Sequence, residues 1–236
     1  MAKIIFGVIS AALGVLIILK TEWIIANSRF IHYFYLAKFL IKNIYELSYM
    51  QDIEPYFNWR HLYTAEEDQL SPFYGRIYSE FEFSNTVYNY YIHPQWDDFG
   101  SRTLYLKILF VEYEQQYAII ELMGEWNDAI ENDVMTLRRD ITDLLQKQGI
   151  SKFILIAENV LNFHSSDDSY YEEWHESLED EGGWVVIVDM PIQSQYDFKR
   201  ARLTNYVALM DFPQWRTLKP ELVFNQVDDW INRQLK

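Results

Sequence analysis

Ser165, Ser166, Asp167 and Asp168 stand together in the run Asn162-Phe163-His164-Ser165-Ser166-Asp167-Asp168-Ser169. Two hydroxyls beside two carboxylates suit a phosphorylation site, a contact with a partner protein, or the cap of a following helix. Ser and Asp are favoured as caps on hydrogen-bonding grounds alone, so capping is the default reading of the pair. Downstream, Glu172, His175 and Glu179 fall at i, i+3 and i+7, on one face of a helix, with His164 upstream. Such groups ligate divalent ions, but a solvated acidic helix is the plainer reading, and no metal is assigned. Glu121 and Glu125 alternate with Leu122 and Trp126. Paired carboxylates do acid–base work, although a solvent-facing sheet edge explains these two as well. Lys199, Arg200 and Arg202 form the basic cluster of the C-terminal half, suited to docking an acidic partner or the Ser165–Asp168 loop.

The elements that must position these residues follow from hydrophobic periodicity. Residues 103–113 and 116–126 read as antiparallel strands joined near Glu114-Gln115. Asn127-Asp128 caps a helix, with Glu131 at capping-box distance. That helix is expected to bury Ile130, Val134, Leu137, Ile141, Leu144 and Leu145 and to end at Gly149. A buried strand over 152–160 then empties into the serine loop, ahead of a helix over 170–180. Gly182-Gly183 leads into a Val/Ile strand over 184–190, followed by a helix over 195–206 and a short strand near 207–212. Pro220 opens a last helix whose apolar face is Leu222, Val223, Val227, Trp230 and Ile231. The order β-β-α-β-α-β-α-β-α requires a mixed, mostly parallel sheet with right-handed crossovers. Ligands and partners usually meet such sheets at the carboxyl ends of the strands, where the serine loop falls.

This order and spacing over residues 103–236 resemble the STAS domain, the fold of bacterial anti-sigma-factor antagonists. Phe153-Ile154-Leu155-Ile156 leads to Ser165-Ser166 at the place where that family carries its phosphorylated Ser or Thr. The resemblance implies a non-enzymatic domain that binds partner proteins. Gly normally follows the serine there, and Asp167-Asp168 stands in its place here. Residues 71–190 also resemble an uncharacterised bacterial family through Ser-Pro-Phe-Tyr-Gly and His-Pro-Gln-Trp-Asp.

Residues 55–102 form an aromatic-rich connector. Within it, residues 76–83 and 86–93 are β-prone, and Ser84-Asn85 between them suggests a hairpin. A layer covering one side of the sheet explains the aromatic residues more simply than a docking surface does.

Charge is divided unevenly. Residues 1–50 carry a net +3 and the remainder a net −18, within a total of −15. So acidic a body would be repelled by phosphate backbones, which argues against nucleic-acid binding. No cysteine is present, so thiol catalysis and disulfides are excluded. Neither G-x-G-x-x-G nor G-K-[ST] occurs, leaving no phosphate loop of those kinds, and no cofactor is expected.

Residues 4–19 are apolar apart from Gly7, Ser10 and Gly14. A helix there spans roughly 24 Å at ~1.5 Å per residue, and Trp23 with Ile24 and Ile25 extends it toward a ~30 Å hydrocarbon core. Lys-Thr-Glu follows the run rather than a small-x-small cleavage site, which favours an uncleaved anchor over a signal peptide. Lys20, Arg29, Lys38 and Lys42 after the span place the C-terminal body on the cytoplasmic side of the inner membrane.

The expectation is therefore an α/β protein with an N-terminal transmembrane helix and a STAS-like domain. Residues 1–27 form the anchor, 28–54 an amphipathic juxtamembrane helix, 55–102 the connector and 103–236 the domain. Its expected role is non-catalytic: a membrane-tethered regulatory or interaction module with a protein partner. A structural subunit of a membrane complex is the alternative, and a metal-dependent hydrolase at His164 and His175 a more distant one.

Overall fold

The computed structural model describes residues 51–79, 81–83 and 85–234. The chain divides into two units, Met1–Gln51 and Asp52–Lys236. The expected anchor (1–27) and nearly all of the expected juxtamembrane helix (28–54) lie outside the described residues. No described helix is long and apolar enough to cross a membrane.

The second unit is built on a five-stranded sheet in the order β4-β5-β6-β7-β8. Strand β4 (Leu104–Glu112) pairs antiparallel with β5 (Tyr117–Asn127). Parallel pairing then carries β5 to β6 (Lys152–His164), to β7 (Trp184–Val188) and to β8 (Ala208–Met210). The expected mixed, mostly parallel sheet is present. Its strands are near-continuous apolar runs because both faces are covered. One face packs against α1 (Asp133–Leu137), α2 (Asp143–Gln146), α3 (Ser169–Glu179) and α4 (Ile192–Arg200), through Leu137, Leu145, Trp174 and Phe198. The other receives α5 (Pro220–Gln234), with Val223, Val227 and Ile231, together with Trp59 and Trp215. There Tyr117 stacks on Phe224 with ring centroids 4.0 Å apart.

Several boundaries differ from the sequence expectations. Strand β6 runs to His164, so Asn162, Phe163 and His164 belong to the strand and the loop shortens. It extends because Trp126 and Asn127 on β5 continue to pair with Phe163 and His164. The helix after β5 does not start at Asn127-Asp128. Asn127 ends the strand, the chain turns through a left-handed Asn132 (φ 57°), and α1 starts at Asp133. A π-helical turn, Arg138–Thr142, separates α1 from α2. Ile130 is therefore 78 % exposed rather than buried, and Leu144 lies at the surface. On α5, Phe224 takes the buried place expected of Leu222.

In the connector, residues 76–79 and 81–83 form no strand. Instead β2 (Thr86–Val87) and β3 (Tyr90–Ile92) make a short hairpin, turning at Tyr88-Asn89, with β1 (Gln51–Ile53) on the far side of β3. Tyr88 has a positive φ of 53°, as such a tight turn requires.

Candidate functional site

Three βα connections meet at the carboxyl edge of the sheet. The β5–α1 turn is tied to the end of β6, because Asp128 N and Ala129 N donate to His164 O at 2.8 and 3.3 Å. The β6–α3 loop is residues 165–168. The start of α4 is held to β6 by Ser194 Oγ, which donates to Val160 O at 3.4 Å.

Asp128 is the buried post of this edge. Its carboxylate accepts from Trp126 Nε1 at 2.9 Å, Val134 N at 2.8 Å and Tyr171 Oη at 2.6 Å. Burial pushes its pKa up to about 6, against the pull of those three donors. It caps the first turn of α1 as expected of a residue there, but through Val134 and from outside the helix. Glu131 does not close a capping box; it pairs with Arg102 at 2.6 Å.

The serine loop is polar and open. Ser166, Asp167 and Asp168 are exposed and Ser165 is half-buried. Neither serine caps α3: the N-cap position is Asp168, and Asp167 Oδ1 instead accepts from Ser169 N at 3.1 Å. The extra reach of β6 leaves the two serines too far upstream of the helix. Their hydroxyls make no hydrogen bond among the described residues. Asp168 accepts from Tyr206 Oη at 3.3 Å. The basic cluster does not close on this loop. Lys199 Nζ donates to Gln195 Oε1 at 3.0 Å, Arg200 pairs with Asp197 at 3.4 Å, and Arg202 is exposed with a positive φ of 61°.

Next to the loop, Glu125, His164, Asn162 and Tyr88 form a polar group. Tyr88 Oη donates to Glu125 Oε2 at 2.7 Å, and His164 Nε2 lies 3.1 Å from Glu125 Oε1. His164 is thus engaged with β5, whereas His175 lies against the Tyr206 ring with centroids 6.3 Å apart. His164, Glu172, His175 and Glu179 do not converge into a ligand set. Among the described residues the three groups whose ligating atoms do gather, within 4.8 Å, are Asp52, Glu54 and His93. Both of those carboxylates are exposed, and exposed acids cluster readily without an ion.

Glu121 corrects a further expectation. It does not line a solvent-facing edge, because β5 is an inner strand, and it is fully buried. Its carboxylate accepts from Tyr56 N at 2.7 Å, Arg216 Nη2 at 3.3 Å and Asn159 Nδ2 at 3.4 Å. Burial raises its pKa to about 7 in spite of those donors. The signal for this was a lone acid inside Tyr-Ala-Ile-Ile-Glu-Leu-Met, where a two-sided buried strand leaves no water-facing side.

A cavity of about 380 Å³ opens between the connector and β4, walled by Tyr56, Trp59 and Tyr63 and containing Glu66 and Lys107. Lys107 is 6 % exposed, pairs with Asp97 at 3.3 Å and lies 3.7 Å over the Tyr78 ring. Burial lowers the pKa of Lys107 and raises that of Asp97, each held back by the other's charge.

No family model matches the chain. No curated protein matches it. Two solved structures are similar over about half of it. One is the anti-sigma factor antagonist SpoIIAA in its unphosphorylated form, at 17% identity, covering 52% of this chain and 96% of that one with a TM-score of 0.40. The other is the Bacillus cell fate determinant SpoIIAA in the phosphorylated form, at 17% identity, covering 52% and 98%, TM-score 0.36.

Proposed function

We propose that residues 103–236 form a non-catalytic recognition domain that binds another protein at the carboxyl edge of its sheet. The contact loop is Ser165, Ser166, Asp167 and Asp168, with Lys199, Arg200 and Arg202 as a basic flank. The observation that carries this reading is the exposure of Ile130, Ile192 and Tyr196, at 78, 76 and 66 %. Ile130 lies in the β5–α1 connection and Ile192 and Tyr196 in the first half of α4, elements that follow the same ends of the strands as the serine loop does. Single exposed apolar residues are ordinary, but several on one edge beside unpaired polar groups mark an interaction surface. An Ile or Tyr desolvated by a partner supplies the binding energy, and polar and charged groups around it set the register. Ser166, open and unbonded, is the place where an added phosphate would act on such a contact. Two acids beside it make that phosphate repulsive toward an acidic partner. The resemblance to STAS domains implies the same class of role.

In vivo crosslinking followed by mass spectrometry tests this. Ile192→Glu and Ser166→Asp should each remove the crosslinked partner while leaving the melting temperature within about 1–2 °C, as surface substitutions do. Crosslinking profiles identical to wild type in both variants would overturn the proposal.

The same reading places the domain at the cytoplasmic face of the inner membrane, held by residues 1–27 as an anchor and 28–54 as a juxtamembrane helix, with 55–102 as a connector. A second reading, a structural subunit of a membrane complex, is favoured by Ile77 and Phe81 in the connector, 94 and 84 % exposed. Native electrophoresis in mild detergent separates the two: a subunit migrates in a large assembly that Ile77→Ser and Phe81→Ser disperse. A tethered module migrates with its recognition partner alone.

A further inference from the structure

The cavity between the connector and β4 carries two opposite charges that do not meet. Arg60 lies at its mouth, with its guanidinium bonded to the side-chain oxygen of Gln95. Glu66 lines it as well, with one carboxylate oxygen shut off from water and without a hydrogen-bond partner among the described residues. Arg60 and Glu66 make no ion pair with each other or with any other described residue. Of the other charged groups in the lining, Lys107 is balanced by Asp97 at 3.3 Å and Glu54 lies 3.8 Å from His93. Glu66 and Arg60 both line the cavity that Lys107 lines. Thr64, also in the lining, has a buried hydroxyl without a partner among the described residues. Buried polar groups left unmade cost roughly 1–3 kcal/mol each, and these two belong to residues of one cavity lining.

The walls are apolar and fixed. Trp59 and Tyr56 meet edge to face at 5.1 Å. Trp59 Nε1 donates to Leu218 O at 3.0 Å, Tyr56 Oη to Arg216 O at 2.5 Å and Tyr63 Oη to Asp68 Oδ2 at 2.9 Å. Each ring is held by its polar end; Trp59 is 4 % exposed and packs on Trp215 at 5.7 Å, so the half-buried Tyr56 and Tyr63 present the accessible aromatic surface. A site of this size with an aromatic wall and a few placed polar groups has the form of a small-molecule pocket, and fixed walls lower the ordering cost of binding.

We propose that this cavity binds a small zwitterion with an apolar body, a free hydrophobic α-amino acid. Its ammonium pairs with Glu66, its carboxylate with the guanidinium of Arg60, and its side chain lies against Tyr56 and Tyr63. Guanidinium recognises carboxylate in a planar, two-bonded fashion, and an ammonium group is attracted to aromatic faces as well as to a carboxylate. The ligand spans the gap that keeps Arg60 and Glu66 apart.

The full chain in detergent should be titrated calorimetrically, and melted, with L-phenylalanine and L-leucine. Parallel titrations use N-acetyl-L-phenylalanine, which lacks the ammonium, and L-phenylalaninamide, which lacks the carboxylate. One or both free amino acids should bind and raise the melting temperature, and each blocked form of phenylalanine should bind about tenfold more weakly or worse. Glu66→Gln should erase the preference for the free amine, and Arg60→Gln the preference for the free carboxylate. Both side chains are removed without opening the core, and the comparison of blocked and free ligands on the wild-type chain needs no variant. No binding by either free amino acid, or equal binding of blocked and free forms, overturns the proposal.

Discussion

A carboxyl group sealed from water favours its protonated form, and Glu121 is such a group. Its pKa in the folded chain is about 7, against an ordinary value of 4.5. Between those values the folded state binds more protons than the unfolded one, so stability falls as pH rises through the window and stays low above it. The difference corresponds to roughly 3 kcal/mol. Glu121→Gln keeps an acceptor for Tyr56 N and removes the charge. The variant should lose less melting temperature than wild type between pH 6 and pH 8 and melt above it at pH 8. A wild-type profile that rises over this range would refute the assignment. Asp128, at about 6 against 3.8, adds a fall in the same direction at lower pH. Its Tyr171 donor serves the ionised form best, so Tyr171→Phe should cost about 1–3 kcal/mol at pH 7 and less at pH 4, read from denaturant melts at the two values. That a lone acid in a strand buried on both faces must find partners was legible in the sequence. Which partners it finds was not, because Tyr56, Asn159 and Arg216 come from distant parts of the chain.

At the scale of elements, glycines distinguish places where backbones touch from places where they only turn. Gly124, inside β5, has φ 121°, and a side-chain carbon added there would fall 2.1 Å from Thr103 O. Its neighbour Glu125 N donates to that same oxygen at 2.8 Å. Gly182 has φ 66° with open space around it. Gly124→Ala should therefore destabilise the domain by about 3 kcal/mol or more, and Gly182→Ala by only about 1–2 kcal/mol, as measured by urea unfolding. Comparable losses would mean that β4 and β5 do not approach as described. Strands β5, β6 and β7 were readable because their residues are apolar on both faces over five or more positions, as inner strands of a sheet covered on both sides are. The helix starts were less so. Asn127-Asp128 has the composition of a cap, yet strand pairing with β6 holds Asn127 in the sheet and delays α1 to Asp133. In the same way Ser165-Ser166 has the composition of a cap, but β6 runs four residues further, to His164, and the N-cap place falls to Asp168. Local propensity proposes an end, and long-range pairing moves it. The serine loop gained from this: hydroxyls not used in capping are available to something else.

For the whole molecule the governing fact is charge. Residues beyond 50 carry a net −18, and an anionic inner leaflet repels such a body rather than attracting it. Membrane attachment, if the first fifty residues provide it, must then be hydrophobic in origin, and its two parts are separable. An anchor across the bilayer resists salt and alkaline carbonate, whereas an amphipathic helix lying in the interface is released by carbonate. The full chain should remain in the membrane pellet through both washes. A chain beginning at residue 28 should leave the pellet in carbonate, and one beginning at residue 52 should not sediment with membranes at all. The last corresponds to the compact unit Asp52–Lys236 and should keep the melting transition of the parent domain. In the orientation proposed from the basic residues after residue 19, with the body on the cytoplasmic side, protease added to spheroplasts should spare the body and digest it only after lysis. Release of the full chain by salt alone would rule out a spanning segment, and digestion in intact spheroplasts would reverse its orientation. Either result would also relocate the recognition edge, because a partner reached from the cytoplasm requires Ser166, Ile192 and Tyr196 to stand on that side.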